Sequence, residues 1–135
     1  MTEAINTILQ NRFSKDSLIT IATCQDNVPF CRTVDAIYDQ GSFYVITYAR
    51  SNKMKQITLN PKVAISGEWF TGHGRGINRG YFGNPENKII ADQLRQAFSV
   101  WIDNGHNDFT DQNTIILEIQ LTDGVLFSKG KRYSF

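Results

Sequence analysis

The sequence predicts a mainly β protein of the α+β class, in which six antiparallel strands form a small barrel or sheet with three helices packed around it. Three observations carry this prediction. Short runs of β-branched and aromatic residues recur between turn signals. Asp39-Gln40-Gly41 and Thr122-Asp123-Gly124 have the composition of hairpin turns, and only residues 84–105 hold a helical apolar period over several turns. At 135 residues, 41% of them hydrophobic, the chain is large enough for one cored domain over 1–135 and short for two.

Each element has a local reason. Residues 3–10 form a short amphipathic helix with Ile5, Ile8 and Leu9 on one face, suited to cover one end of a barrel. Residues 18–24 are rich in Ile and Thr and read as a strand, and 30–38 pairs with 42–48 as a hairpin. Ser51 is a good N-cap for a short helix carrying Met54, Ile57 and Leu59. Residues 63–70 make a fourth strand. Residues 72–80 then read as a glycine-rich connection, with Gly72, Gly74, Gly76 and Gly80 as its punctuation. Asn84-Pro85-Glu86 is a helix start with a cap, a first-turn proline and an acidic residue. Ile89, Ile90, Leu94, Ala97, Phe98, Trp101 and Ile102 follow at helical spacing until Gly105, which places Phe98 and Trp101 in the core. Residues 115–121 and 125–128 flank the second turn, and 131–135 extend the last strand.

Composition narrows the partners. Fourteen basic against 13 acidic side chains leave a formal charge of +1, with no general pull toward nucleic acid or membrane. No apolar run approaches the roughly 20 residues that span a bilayer, and Met-Thr-Glu-Ala lacks the basic start of a signal peptide, so a cytoplasmic location is expected. Cys24 and Cys31 flank the turn Gln25-Asp26-Asn27, where a cross-strand bridge is conceivable; in a reducing compartment both read as free thiols. Neither His73 nor His106 has a cysteine or carboxylate at zinc-ligand spacing, and no metal is expected.

The join between the third strand and the second helix carries the chemistry. Thr47 and Ser51 bring hydroxyls, Lys53 a full charge, and the amides of Asn52 and Lys53 lie in a first helical turn, where they lack backbone partners. Counting back through a hairpin turn of two or four residues sets Arg32 opposite Tyr48 or Ala49, at the same end, where its planar fork would complete a phosphate site. The alternative is an ordinary hairpin and helix cap with solvated charges.

Pro29-x-x-Arg32-x-Val34, Asp39-x-Gly41, Thr47-x-x-x-Ser51-x-Lys53 and Asn60-Pro61-x-Val63-Ala64, in that order, resemble the FMN-binding split-barrel family typified by pyridoxamine 5′-phosphate oxidase. The match covers residues 18–65. The resemblance implies a six-stranded antiparallel split barrel, a homodimer with FMN bound across the interface, and cofactor contacts from Arg32, Thr33, Val34, Thr47, Tyr48, Ser51, Asn52 and Lys53. Large apolar residues, Phe30, Phe43, Trp69, Phe70, Tyr81 and Phe82, exceed what a small barrel is expected to bury and agree with a dimer. Asn52 stands where the oxidase has a second phosphate-binding arginine, and Ile37 where it has a lysine. The substrate-binding C-terminal extension of the oxidase is not expected either, which argues against oxidation of pyridoxamine phosphate.

The implied function is therefore an FMN-dependent oxidoreductase acting on an unidentified small molecule. FAD, haem and deazaflavin are alternative cofactors; a non-catalytic flavin- or haem-binding stress protein and a nitroreductase-like enzyme are alternative roles. No acid/base pair or nucleophilic triad is visible, consistent with chemistry supplied by a cofactor. For the glycine-rich segment two readings stand: a plain crossover, or a loop that brings Trp69, His73, Arg75 and Asn78 over the flavin as a substrate pocket. His73 is then the candidate proton donor or stacking partner, against the alternative of a surface histidine.

Overall fold

Alternating burial organises the sheet. In β1 (Ser17–Gln25), Ile19, Ile21 and Thr23 are buried while their neighbours are not, the period of two of a strand that lines a core. The computed structural model describes residues 1–135. It continues through β2 (Val28–Asp39), β3 (Ser42–Tyr48), β4 (Lys62–Gly67), β5 (Phe70–Tyr81), β6 (Thr114–Ser128) and β7 (Lys131–Ser134). The antiparallel order β3-β2-β1-β4-β5-β6 closes on itself through β3–β6 pairing, so six strands form a barrel, and β7 lies outside it on β6. Closure removes the free edge strands, although β2 and β3 are paired over only three residue pairs.

Three helices complete the fold. The first, α1 (Glu3–Phe13), is capped by the Thr2 hydroxyl, which accepts from the Ile5 amide at 3.3 Å. Its apolar face plugs the barrel: Ile5, Leu9 and Phe13 join Ile21, Phe43, Val45, Phe70 and Leu117 in the main core. The helix runs to Phe13 rather than Gln10 because Phe13 packs edge-on against Phe43 at 5.4 Å between ring centres. After β3 comes α2 (Asn52–Leu59), with Met54 and Ile57 buried as expected and Leu59 exposed. The third, α3 (Lys88–Ala97), covers the outer face of β2 and β6, where Ala91, Leu94, Phe98 and Ile102 pack on Ile37 and Ile116. No helix is long and apolar enough to cross a membrane.

Several expectations are corrected. Residues 72–80 are not a loop but most of β5. Gly72, Gly74 and Gly76 alternate with exposed Thr71, His73 and Arg75, and their inward positions are too crowded for side chains. A Cβ on Gly74 would lie 2.7 Å from the Gln120 carbonyl oxygen, and one on Gly76 2.8 Å from the Ile57 side chain. Thr122-Asp123-Gly124 is not a turn, because β6 passes straight through it. There Leu121 pairs with Gly74 and Asp123 with His73, leaving Thr122 as the extra residue of a bulge. The C-terminal hairpin instead turns at Lys129-Gly130, both at positive φ, and residues 131–134 are a separate strand. The expected fourth strand ends at Gly67, before a turn at Glu68-Trp69.

The long helix is shorter than its period suggested. A 3-10 turn at Pro85–Asn87 precedes α3, which ends at Ala97; Asn84 makes no side-chain cap, and Ile89 is exposed. Asn87 secures this start instead, donating to the carbonyls of Arg79 and Tyr81 at 3.0 and 2.8 Å. Of the aromatics read as surplus, Phe43, Phe70 and Phe82 are buried within the chain, while Phe30 and Trp69 stay exposed. Cys24 pairs with Pro29 and Cys31 with Ala22, so the two thiols do not face each other and both are free.

A cleft at the split between two strands

The β2–β3 hairpin turns at Gln40-Gly41, both with positive φ as a two-residue turn requires, but its ladder covers only Ile37–Tyr44, Tyr38–Phe43 and Asp39–Ser42. Beyond it the strands separate: Val28 to Ala36 pair with β1, and Val45 to Tyr48 pair with β6. The expected placement of Arg32 opposite Tyr48 or Ala49 is thus not met, since Arg32 faces Ile21 on β1. The split opens a cavity of about 560 Å³, of the size that holds small cofactors. Its walls include Thr33, Val34 and Asp35 of β2, Thr47 and Tyr48 of β3, and Lys53 of α2.

Lys53 stands at the join anticipated from the sequence. The Ser51 hydroxyl accepts from the Met54 amide at 3.3 Å, which makes Ser51 the N-cap of α2. The amides of Asn52 and Lys53 make no hydrogen bond within the protein, so the positive end of the helix dipole is free to meet an anion. Burial, and then the charge of nearby Arg32, hold the Lys53 ammonium below its usual pKa. Burial likewise lowers Arg32. No carboxylate forms a salt bridge with either cation. Two desolvated positive charges therefore share one region with no acidic partner, an arrangement that an anion would relieve.

The far wall comes from the chain between β5 and β6. Phe98, Trp101, His106, Asn107, Asp108 and Asp111 line it, none of which was recognised as a site residue from the sequence. Asp108 and Asp111 are engaged in their own turns, accepting from the Thr110 and Asn113 amides at 3.0 and 2.9 Å. Trp101 is half-buried, stacks on Phe98 at 4.6 Å and donates its indole N–H to Asp16 at 2.8 Å. Asp16 is also a carboxyl neighbour of Asp35. Burial first, and then this carboxyl neighbour, push Asp35 up to about 6.

Arg32, Ser51 and Asn52 flank the cavity without lining it, whereas Thr33, Val34, Thr47, Tyr48 and Lys53 are brought together on its walls. Trp69, His73, Arg75 and Asn78, expected over the cofactor, do not line this cavity. Trp69 is exposed in the β4–β5 turn, and the Asn78 side chain accepts from the Gly80 amide at 2.8 Å. His73 pairs with Asp123 at 2.8 Å and, with Arg75, borders a separate cavity of about 670 Å³ beside β1 and β4.

A family model described as pyridoxamine 5′-phosphate oxidase matches residues 1–120. The chain belongs to this family. No curated protein matches it in sequence. Among solved structures that share the fold, a FAD-binding protein of Mesorhizobium loti has 14% identity and a TM-score of 0.69, covering 92% of each chain. A NimC/NimA family protein of Clostridium acetobutylicum has 19% identity and a TM-score of 0.69, over 98% of this chain and 94% of its own. The haem storage protein HutZ of Vibrio cholerae has 13% identity and a TM-score of 0.66, over 89% of both. At these identities the likeness establishes the pyridoxamine 5′-phosphate oxidase split-barrel fold and nothing finer.

Proposed function

We propose that this protein is an FMN-binding oxidoreductase of the pyridoxamine 5′-phosphate oxidase family, with the flavin in the cleft between β2 and β3. One observation carries the reading: Arg32 and Lys53 are desolvated, near each other and without a carboxylate, beside the free amides that open α2. The terminal phosphate of FMN fits that set. Thr47 and Ser51 add hydroxyls, and the unladdered edges of Thr33 to Asp35 and Val45 to Tyr48 offer backbone groups to a planar ring. A bound flavin would supply the hydride chemistry, and the chain's own part is to hold the phosphate, orient the ring and shape the pocket. Phe98 and Trp101 give that pocket an apolar far wall that limits water.

A homodimer belongs to the same proposal, because Tyr48 lies on the cavity wall and is 44% exposed, leaving one side for a second chain to cover. Absorption of the purified protein and titration with FMN test the cofactor. Flavin bands and FMN binding that Lys53→Ala weakens are expected; a Soret band with no flavin affinity refutes the reading. Sedimentation showing only a 15.3 kDa species at micromolar concentration refutes the dimer.

A further inference from the structure

Arg32 is held in an unusual way. Its Nη1 donates to the Thr23 hydroxyl at 2.9 Å and its Nη2 to Gln56 Oε1 at 3.0 Å, while the Thr23 hydroxyl itself donates to the same Gln56 oxygen at 2.5 Å. The backbone carbonyls of Ile21 and Phe30 lie 3.3 and 3.4 Å from Nη1. Thr23 is 2% exposed and Gln56 is 5% exposed. Two donors converge on Oε1, which fixes the orientation of the Gln56 amide. Every acceptor of the guanidinium is neutral.

That neutrality has a chemical meaning. A glutamate at position 56 would differ by one group and would form a charge-assisted pair with Arg32, the stronger way to anchor an arginine. The chain instead buries an uncharged amide and hydroxyl, which orient the fork but leave its charge uncancelled. Gln56 also sits one helical turn beyond Lys53, so α2 fixes both the lysine and the group that aims the arginine.

We propose that Thr23 and Gln56 are positioning residues, a buried neutral clamp that holds Arg32 beside Lys53 and leaves the arginine's charge available to the phosphate of a bound ligand. The inference rests on the assignment of Arg32 and Lys53 to the FMN phosphate. The clamp makes no contact with the ligand and acts through Arg32 alone.

The test compares wild-type protein with Gln56→Glu, Thr23→Val, Thr23→Ser and Arg32→Ala, measuring FMN and riboflavin affinity by flavin fluorescence and the thermal midpoint of the ligand-free protein. Gln56→Glu should weaken FMN about tenfold, leave riboflavin unchanged and raise the ligand-free midpoint, because an ion pair is gained where an anion site is lost. A residue with a merely structural role would move affinity and stability in the same direction. Thr23→Val should weaken FMN by roughly fivefold to tenfold with riboflavin unchanged, and Thr23→Ser should restore it. If Arg32→Ala weakens FMN while Gln56→Glu and Thr23→Val bind as wild type, the clamp is refuted and the phosphate site stands. Equal losses for FMN and riboflavin also refute the clamp. Wild-type protein without FMN affinity overturns both.

Discussion

Replacing Asp35 with asparagine isolates the carboxyl pair at the cavity rim. Asp35 titrates at about 6 instead of its ordinary 3.8 because it is partly withdrawn from water and faces Asp16. The folded protein therefore holds this proton more tightly than the unfolded chain does. Stability from the shared proton is complete below pH 3.8 and is lost as pH rises to about 6. Taken at face value the displacement corresponds to ~3 kcal/mol. Asp35 is only half-buried, and solvent screening reduces the measurable part to about 1 kcal/mol, or about 3–4 °C in melting temperature for a chain of this size. Asparagine can donate to Asp16 at every pH, as the protonated acid does. Asp35→Asn should consequently match the wild type near pH 4 and melt about 3 °C higher at pH 7.5. Thermal unfolding followed by circular dichroism across pH 4–8 reads the difference, in which all other carboxylates cancel. An identical gap at both ends of the range would refute the shared proton.

Lys53→Met should cost FMN roughly 1.5–3 kcal/mol of binding, about one to two decades, and spare riboflavin, as fluorescence titration would report. Gly74→Ala should destabilise the protein by about 1–3 kcal/mol in chemical denaturation, since the added methyl meets the Gln120 carbonyl at 2.7 Å and Ile119 at 2.8 Å. Leu9→Ala, which empties a position of 0% exposure under the barrel, should cost about 2–5 kcal/mol in the same assay.

Features set by neighbours in the chain were legible in the sequence. Ser51 caps α2 through a bond three residues away, and Asp39-Gln40-Gly41 brings β2 to β3, because both depend on local backbone geometry. Features set by distant neighbours were not. Glycines at 72, 74 and 76 look like loop punctuation until the Gln120 carbonyl and Ile57 are seen pressing on them; their strict alternation with Thr71, His73 and Arg75 was the available signal for a strand. Trp101 continues the helical period of Leu94 and Phe98 and so reads as core, yet the chain leaves the helix after Ala97 and the indole meets Asp16 and the cleft. The bonds from Arg32 to Thr23 and Gln56 join three elements, and no spacing along the chain announces them.

The cover of the cleft has its own architecture. Residues 82–113 leave the barrel and return to it at adjacent rungs, where Tyr81 pairs with Ile115 and the Phe82 amide donates to the Thr114 carbonyl at 2.9 Å. This excursion begins and ends at one point of the β5–β6 ladder. Its length can consequently change at little entropic cost, while β2 and α2, which supply Arg32 and Lys53, lie outside it. The far wall of the cleft and its cationic end are therefore encoded by separate stretches of chain, and, on the proposed FMN reading, a chimaera carrying a relative's segment in place of residues 82–113 should keep its affinity for the FMN phosphate while changing what it admits beside the ring.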